Sequence, residues 1–259
     1  MMYVETDDLR QILVITRNEI RKFIRGKKLL IYVILAAAIF SLITFLPYAL
    51  GGSWSDMSVF LTAHFAFGSF LVVLAATLFA SSTYVSEFEE RTALILFTRP
   101  VKKTTIYLGK FIGCFVMEAV VFIGYYIAMA VAVPFLDNTP SLGQYLASFG
   151  SIILFLFAAS AVAAIFSVIM KKAGTAAIMT FVTILMLISI ISQVIITATG
   201  GDAWYMLDQA SNAVYASIPG VASYFGITDF DMAKGILTMI IWGAAAMFIS
   251  WFLFTKKEM

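Results

Sequence analysis

The chain has 259 residues, of which 62% are hydrophobic and 12% charged, and its mean hydropathy is +0.98. Soluble domains average about 45–50% apolar and 25% charged, so the composition excludes a soluble globular protein. The net charge of +2 says little, because the information lies in where the charges stand.

Residues 6–27 are predicted to form an amphipathic helix, with Thr6 or Asp7 as its cap and Asp7 and Asp8 suiting its positive amino-terminal end. Leu9, Ile12, Leu13, Ile20, Phe23 and Ile24 recur at i, i+3, i+4 on one face, with Arg10, Arg17, Arg21 and Arg25 opposite. Such a helix either lies on the cytoplasmic leaflet, where each basic residue gains on the order of 1 kcal/mol from anionic lipid, or serves only as a topology anchor. Six apolar runs follow, at about 29–50, 58–83, 104–134, 147–170, 174–198 and 236–255. A bilayer core about 30 Å thick takes roughly 20 helical residues to cross, and a helix satisfies its own backbone hydrogen bonds in lipid. The predicted fold is therefore an all-α integral membrane protein, with residues 1–28 as an interfacial helix and 29–259 as a six-helix transmembrane domain. The first 28 residues lack the short apolar core of a cleavable signal peptide.

Of the 17 Lys and Arg residues, all but Lys234 fall in the amino-terminal segment, in the connections after the second and fourth runs, at Lys110 just inside the third, or in the tail. The other connections carry Asp56, Asp137, Asp202, Asp208, Asp229 and Asp231. The positive-inside rule predicts both termini on the cytoplasmic side of a cell membrane.

The connection between the second and third runs has the most distinctive sequence. Ser86 followed by Glu89 reads as a capping box, and the acidic first turn suits the dipole. Arg99 and Pro100 end the segment, because a residue before Pro avoids helical geometry. A short helix over about 86–99 is predicted, too charged to span, whose Leu94, Ile95, Leu96 and Phe97 need a cover from lipid, from the protein itself or from a partner.

Glu87, Glu89, Glu90, Thr92, Arg99, Pro100, Val101, Thr104 and Lys110 together form a pattern that resembles the ABC-2 type permease family, the membrane subunits of ABC exporters. The usual Gly before the Thr is Arg91 here. The resemblance implies that Glu87, Glu89, Glu90, Arg91, Thr92, Leu94, Phe97, Arg99 and Pro100 belong to a coupling helix seated in a separate ATPase. It also implies that the amino-terminal helix is the family's connecting helix. A six-span half makes a path only at a dimer interface, in a homo- or heterodimer, lined by spans 2 and 5. ATP and Mg would then sit on the partner, with no cofactor or metal on this chain. The chain has no Gly-x-x-x-x-Gly-Lys-Ser/Thr phosphate loop and no Gly-x-Ser-x-Gly nucleophile elbow, and no nucleic-acid motif. A single His and a single Cys leave no Cys/His metal cluster.

Within the spans stand Glu118 and His64, either a polar transport site or, for Glu118, a neutral acid bonded to a neighbouring helix through Ser, Thr or Gln193. Lys110 is close enough to the cytoplasmic end to extend its ammonium to water. Gly109, Gly113 and Gly124, and the Ala-rich stretch 158–164, suit close helix packing. The segment 200–235 contains helical spacing broken at Pro219-Gly220. It resembles the family's short external or re-entrant helices, with Trp204, Tyr205, Pro219 and Gly220 as gate candidates, and equally fits a structured interfacial loop. The expected function is an ABC exporter permease. The alternatives are an ATPase-driven scaffold acting on an external partner, and an ATP-independent carrier using Glu118 and His64.

Overall fold

The computed structural model describes residues 2–54, 56–89, 101–132, 136 and 139–257. Among these the chain is all-helical, without strands. Helix α1 (Met2–Arg25) leads across an extended Gly26 into α2 (Lys27–Ala49). Span 2 consists of α3 (Met57–Ala75), a π turn π1 (Ala76–Ala80) and α4 (Ser81–Thr83), and beyond Tyr84 the short α5 (Val85–Glu89) continues it. Then come α6 (Lys103–Ala132) and α7 (Leu142–Ile169). Span 5 is α8 (Ala173–Val182), a second π turn π2 (Thr183–Leu187) and α9 (Ile188–Thr199), ended by Gly200 at φ 64°. Three short helices, α10 (Leu207–Ala210), α11 (Ala213–Ala216) and α12 (Pro219–Phe225), precede α13 (Met232–Lys256).

Among the described residues six helices are long and apolar enough to cross a membrane: Lys27–Ala49, Met57–Thr83, Lys103–Val131, Leu142–Ile169, Ala173–Thr199 and Met232–Lys256. Spans 4 and 6 begin earlier than their apolar runs, because polar first turns are capped. Ser141 and Gln144 form a reciprocal capping box on α7, and Asp231 accepts the N–H groups of Ala233 and Lys234 on α13. At the other extreme, α1 already runs from Met2, so Thr6 and Asp7 lie inside it rather than capping it.

Span 4 is the central post. Ala158, Ala159, Ala161, Ala163 and Ala164 are all buried, and small side chains let the neighbouring helices come close. The closest of these is α13, where Gly243 meets Phe157. Helix α1 does not merely lie on the bundle; it packs along the first half of α6. Gly109 and Gly113 make this contact. A Cβ on Gly109 would stand 2.8 Å from Ile15 side-chain atoms, and one on Gly113 would stand 2.8 Å from Glu19 Cβ. Gly124 makes no such approach. The apolar face predicted for α1 is thus two faces. Ile12, Ile15, Thr16, Glu19 and Phe23 turn inward, while Leu9, Leu13 and Ile24 remain exposed beside the Arg row, as a helix resting against lipid requires.

Candidate functional site

Most of the basic residues collect at one end of the bundle, and the stub of the segment after span 2 stands in their midst. Its direction is set by an unusual helix end. In Ser81-Ser82-Thr83 each hydroxyl donates back along the helix, to the carbonyls of Thr77, Leu78 or Phe79 at 2.5–3.0 Å, next to the π turn. Back-bonding hydroxyls and π turns both bend helices. The N–H groups of Tyr84 and Val85, at the break, donate to Ser167 Oγ on α7 at 2.9 and 3.2 Å. The Tyr84 hydroxyl donates to the Tyr107 carbonyl at 3.0 Å, the two rings stack 5.1 Å apart, and the Tyr107 hydroxyl meets Ser250 Oγ at 2.5 Å. Side chains from α6, α7 and α13 therefore hold the root of the stub.

The stub's acidic residues are spent on the protein itself. Lys110 Nζ lies 2.9 Å from Glu19 Oε2 and 2.7 Å from Glu87 Oε1, and the Lys110 and Glu19 side chains are 5% and 6% exposed. Lys22 also reaches Glu87, at 3.3 Å, and Ser86 Oγ, at 3.1 Å. The predicted capping box is not formed. Ser86 sits inside α5 with its hydroxyl taken by Lys22, and Glu89 Oε2 accepts the Ala173 N–H at 2.9 Å, capping span 5 instead of its own helix. Lys257 donates to the Val168 carbonyl and lies over the Phe88 ring, 4.1 Å from its centroid. Burial lowers its ammonium from the ordinary value. Glu90, Arg91, Thr92, Leu94, Phe97, Arg99 and Pro100 lie outside the described residues.

The intramembrane residues do not form one site. His64 is fully buried: Nδ1 is 2.9 Å from the Phe60 carbonyl, Nε2 is 3.2 Å from Thr44 Oγ1, and the ring packs on Phe40 and Phe60. Glu118 is also fully buried, receiving hydrogen bonds from Ser160 at 2.5 Å and Cys114 at 3.4 Å. Its neighbour is therefore a span 4 serine, and Gln193 is exposed on span 5, away from it. At the opposite end of the bundle, Trp204 and Tyr205 are exposed, and the Tyr205 carbonyl accepts the Trp242 indole N–H at 2.9 Å. Pro219 opens α12, and Gly220 rests against Ser58, where a Cβ would stand 2.1 Å from Oγ. Tyr205 thus touches span 6 and Gly220 touches span 2.

A family profile described as ABC-2 family transporter protein matches residues 15–188, from within α1 into span 5. The chain belongs to the ABC-2 transporter family. No curated protein matches it. The protein is thus a multi-pass membrane permease subunit, of a family that associates with ABC ATPases. Sequence reasoning had found the permease's acidic segment but not its anchors. Lys110 was expected to reach for water, whereas it is buried between two carboxylates. The signal was present: Glu19 stands on the inward stripe Ile12, Thr16, Glu19, Phe23, and Gly109-x-x-x-Gly113 flanks Lys110. Tyr84, Ser167 and Lys257 gave no comparable sign. Among the described residues no group of acidic, His and Cys side chains is arranged to hold a metal ion.

Proposed function

We propose that the permease couples ATP hydrolysis on a separate ATPase to export, with residues 86–99 as the element that docks into that ATPase. The protein acts as a dimer with two ATPase copies, both termini are cytoplasmic, and the path runs between the two permeases along spans 2 and 5. ATP and Mg belong to the partner, and this chain performs no hydrolysis. One observation carries the reading. The stub that enters the acidic segment is bound by side chains to α1, α6, α7, α8 and α13 at once, through Lys22, Lys110, Ser167, the Ala173 N–H and Lys257. A push delivered to Val85–Glu89 therefore reaches the connecting helix and four spans through these side-chain contacts. The nucleotide must then favour one arrangement of the bundle over another.

The test is co-purification in detergent with the ATPase encoded nearby, comparing the native chain with one carrying Glu90→Lys and Leu94→Asp. Association with the native chain, and its loss in a variant that elutes as the same monodisperse species, supports docking through this segment. A native chain that retains no ATPase would overturn the proposal. Transport by the assembled complex in vesicles separates export from scaffold work. The carrier alternative has less support, since His64 and Glu118 share no partner and each is internally bonded.

A further inference from the structure

A cavity of about 240 Å³ opens at the end of the bundle away from the basic cluster, between spans 2, 4 and 5 and beneath α10. Its walls are largely apolar: Phe70 and Val73 from span 2, Phe155 from span 4, Ile184, Leu185 and Ile188 from span 5. The serines Ser69, Ser189 and Ser211 add hydroxyls, and among the described residues Asp208 is the single charged one lining it. Asp208 is poorly satisfied. Oδ2 accepts the Gln209 amide at 3.2 Å, while Oδ1 is buried without a partner. The Ser192 hydroxyl on span 5, itself fully buried, lies beside this carboxylate. Asp208 thus sets a half-buried carboxylate, one oxygen of it enclosed without a hydrogen bond, at the rim of an apolar chamber.

An uncompensated buried carboxylate is costly, and the cost falls when a counter-charge arrives. The walls decide what kind of cation that is. A hard metal ion seeks six or more oxygens, and this chamber offers one carboxylate and three serine hydroxyls among hydrocarbon. An anion meets repulsion, and a neutral apolar ligand leaves Oδ1 as it is. We propose that the cavity binds a small amphipathic cation, with an ammonium or quaternary ammonium group on Asp208 and an apolar body against Phe70, Val73 and Ile184. The volume suits one such group or the cationic end of a longer molecule. Burial raises the Asp208 carboxyl above its ordinary value, and a cation beside it would act in the opposite direction. Calling this ligand cargo rests on the transport reading above; its binding does not.

The same ammonium chemistry occurs in free amphiphiles and in choline lipids, so the test has two lipid arms. The full-length chain in phosphatidylglycerol nanodiscs is titrated calorimetrically with benzyltrimethylammonium and with benzenesulfonate, an anion of similar size. The expected result is saturable binding of the cation only, weakened at least tenfold by Asp208→Asn. Ile184→Trp, which fills the chamber while keeping the carboxylate, should weaken it as much. Repetition in phosphatidylcholine nanodiscs assigns the source: undiminished affinity marks a site for free cations, and competition marks a lipid headgroup site. No cation binding by the native chain, equal binding of both probes, or binding unchanged in the Ile184→Trp chain overturns the inference, the last deciding even were Asp208→Asn not to fold. ATPase co-purification is scored on the same preparations. An intact complex without cation binding sinks only this inference, and cation binding without the complex sinks only the docking proposal.

Discussion

Two charges, the buried Lys110 at one end of the bundle and the half-buried Asp208 at the other, are treated in opposite ways. Lys110 is enclosed by Glu19 and Glu87, with Lys22 behind them, so that one ammonium fastens α1, α5 and α6 together. Asp208 has a neighbouring amide on one oxygen and nothing on the other. A charge removed from water stabilises a fold only where its partners come with it. The first charge therefore serves structure, and the second is the one proposed to meet a ligand. The division matches the proposed roles: a rigid end that receives force and an open end that meets cargo.

The strongest way to break this comparison is Lys110→Met. It leaves the buried Glu19 without its cation and Glu87 with only the more exposed Lys22, and a loss of about 3–5 kcal/mol is expected in detergent unfolding. Adding Glu19→Gln should recover part of that loss; a cost below about 1 kcal/mol for the single change would mean the cation holds nothing. Gly109→Ala comes next, since its Cβ would overlap Ile15, and about 1–3 kcal/mol should be lost together with the seating of α1. Protease accessibility of α1 in the variant checks it. Glu89→Ala frees the Ala173 N–H and should cost about 1 kcal/mol, visible as earlier hydrogen exchange at the start of α8.

The smallest expected effect sharpens the contrast from the other side. Asp208→Asn should leave stability unchanged or slightly raised. Burial raises this carboxyl in the folded state, so the folded protein holds that proton more tightly than the unfolded chain. The resulting penalty is absent at pH below the unfolded value and complete above the folded one, so stability falls as pH rises across that window. The Asn variant should lose that part of the slope in unfolding measured between about pH 3 and 7. A destabilised Asn variant with the slope intact would show that Asp208 supports the fold after all.

The spans were legible because hydrocarbon admits few alternatives: an apolar run of sufficient length has to be a helix. Polar first turns escaped the same reasoning, and so α7 begins at Leu142 and α13 at Met232, before their apolar runs do. The acidic segment was legible as a motif, but the partners of its side chains were not. Glu87 meets Lys110 across 23 positions and Lys22 across 65, and local spacing carries no trace of such pairings. Glu89 misled for a related reason. A Ser three residues before a Glu promises a local cap, yet the start of span 5 competes for that carboxylate and wins. Asp208 looked like one more acidic residue in an external segment, because its significance depends on a chamber assembled from three spans.

Spans 2 and 5 share one more feature, the π turns at Ala76–Ala80 and Thr183–Leu187. Each accommodates one residue beyond what an α-helical turn would hold. If that spare residue migrates along the helix, everything beyond it swivels about the helix axis, in steps of a single residue. Such a swivel presents new side chains to the neighbouring helices while nearly every amide stays bonded, which is the sort of rearrangement that a hydrocarbon surrounding permits.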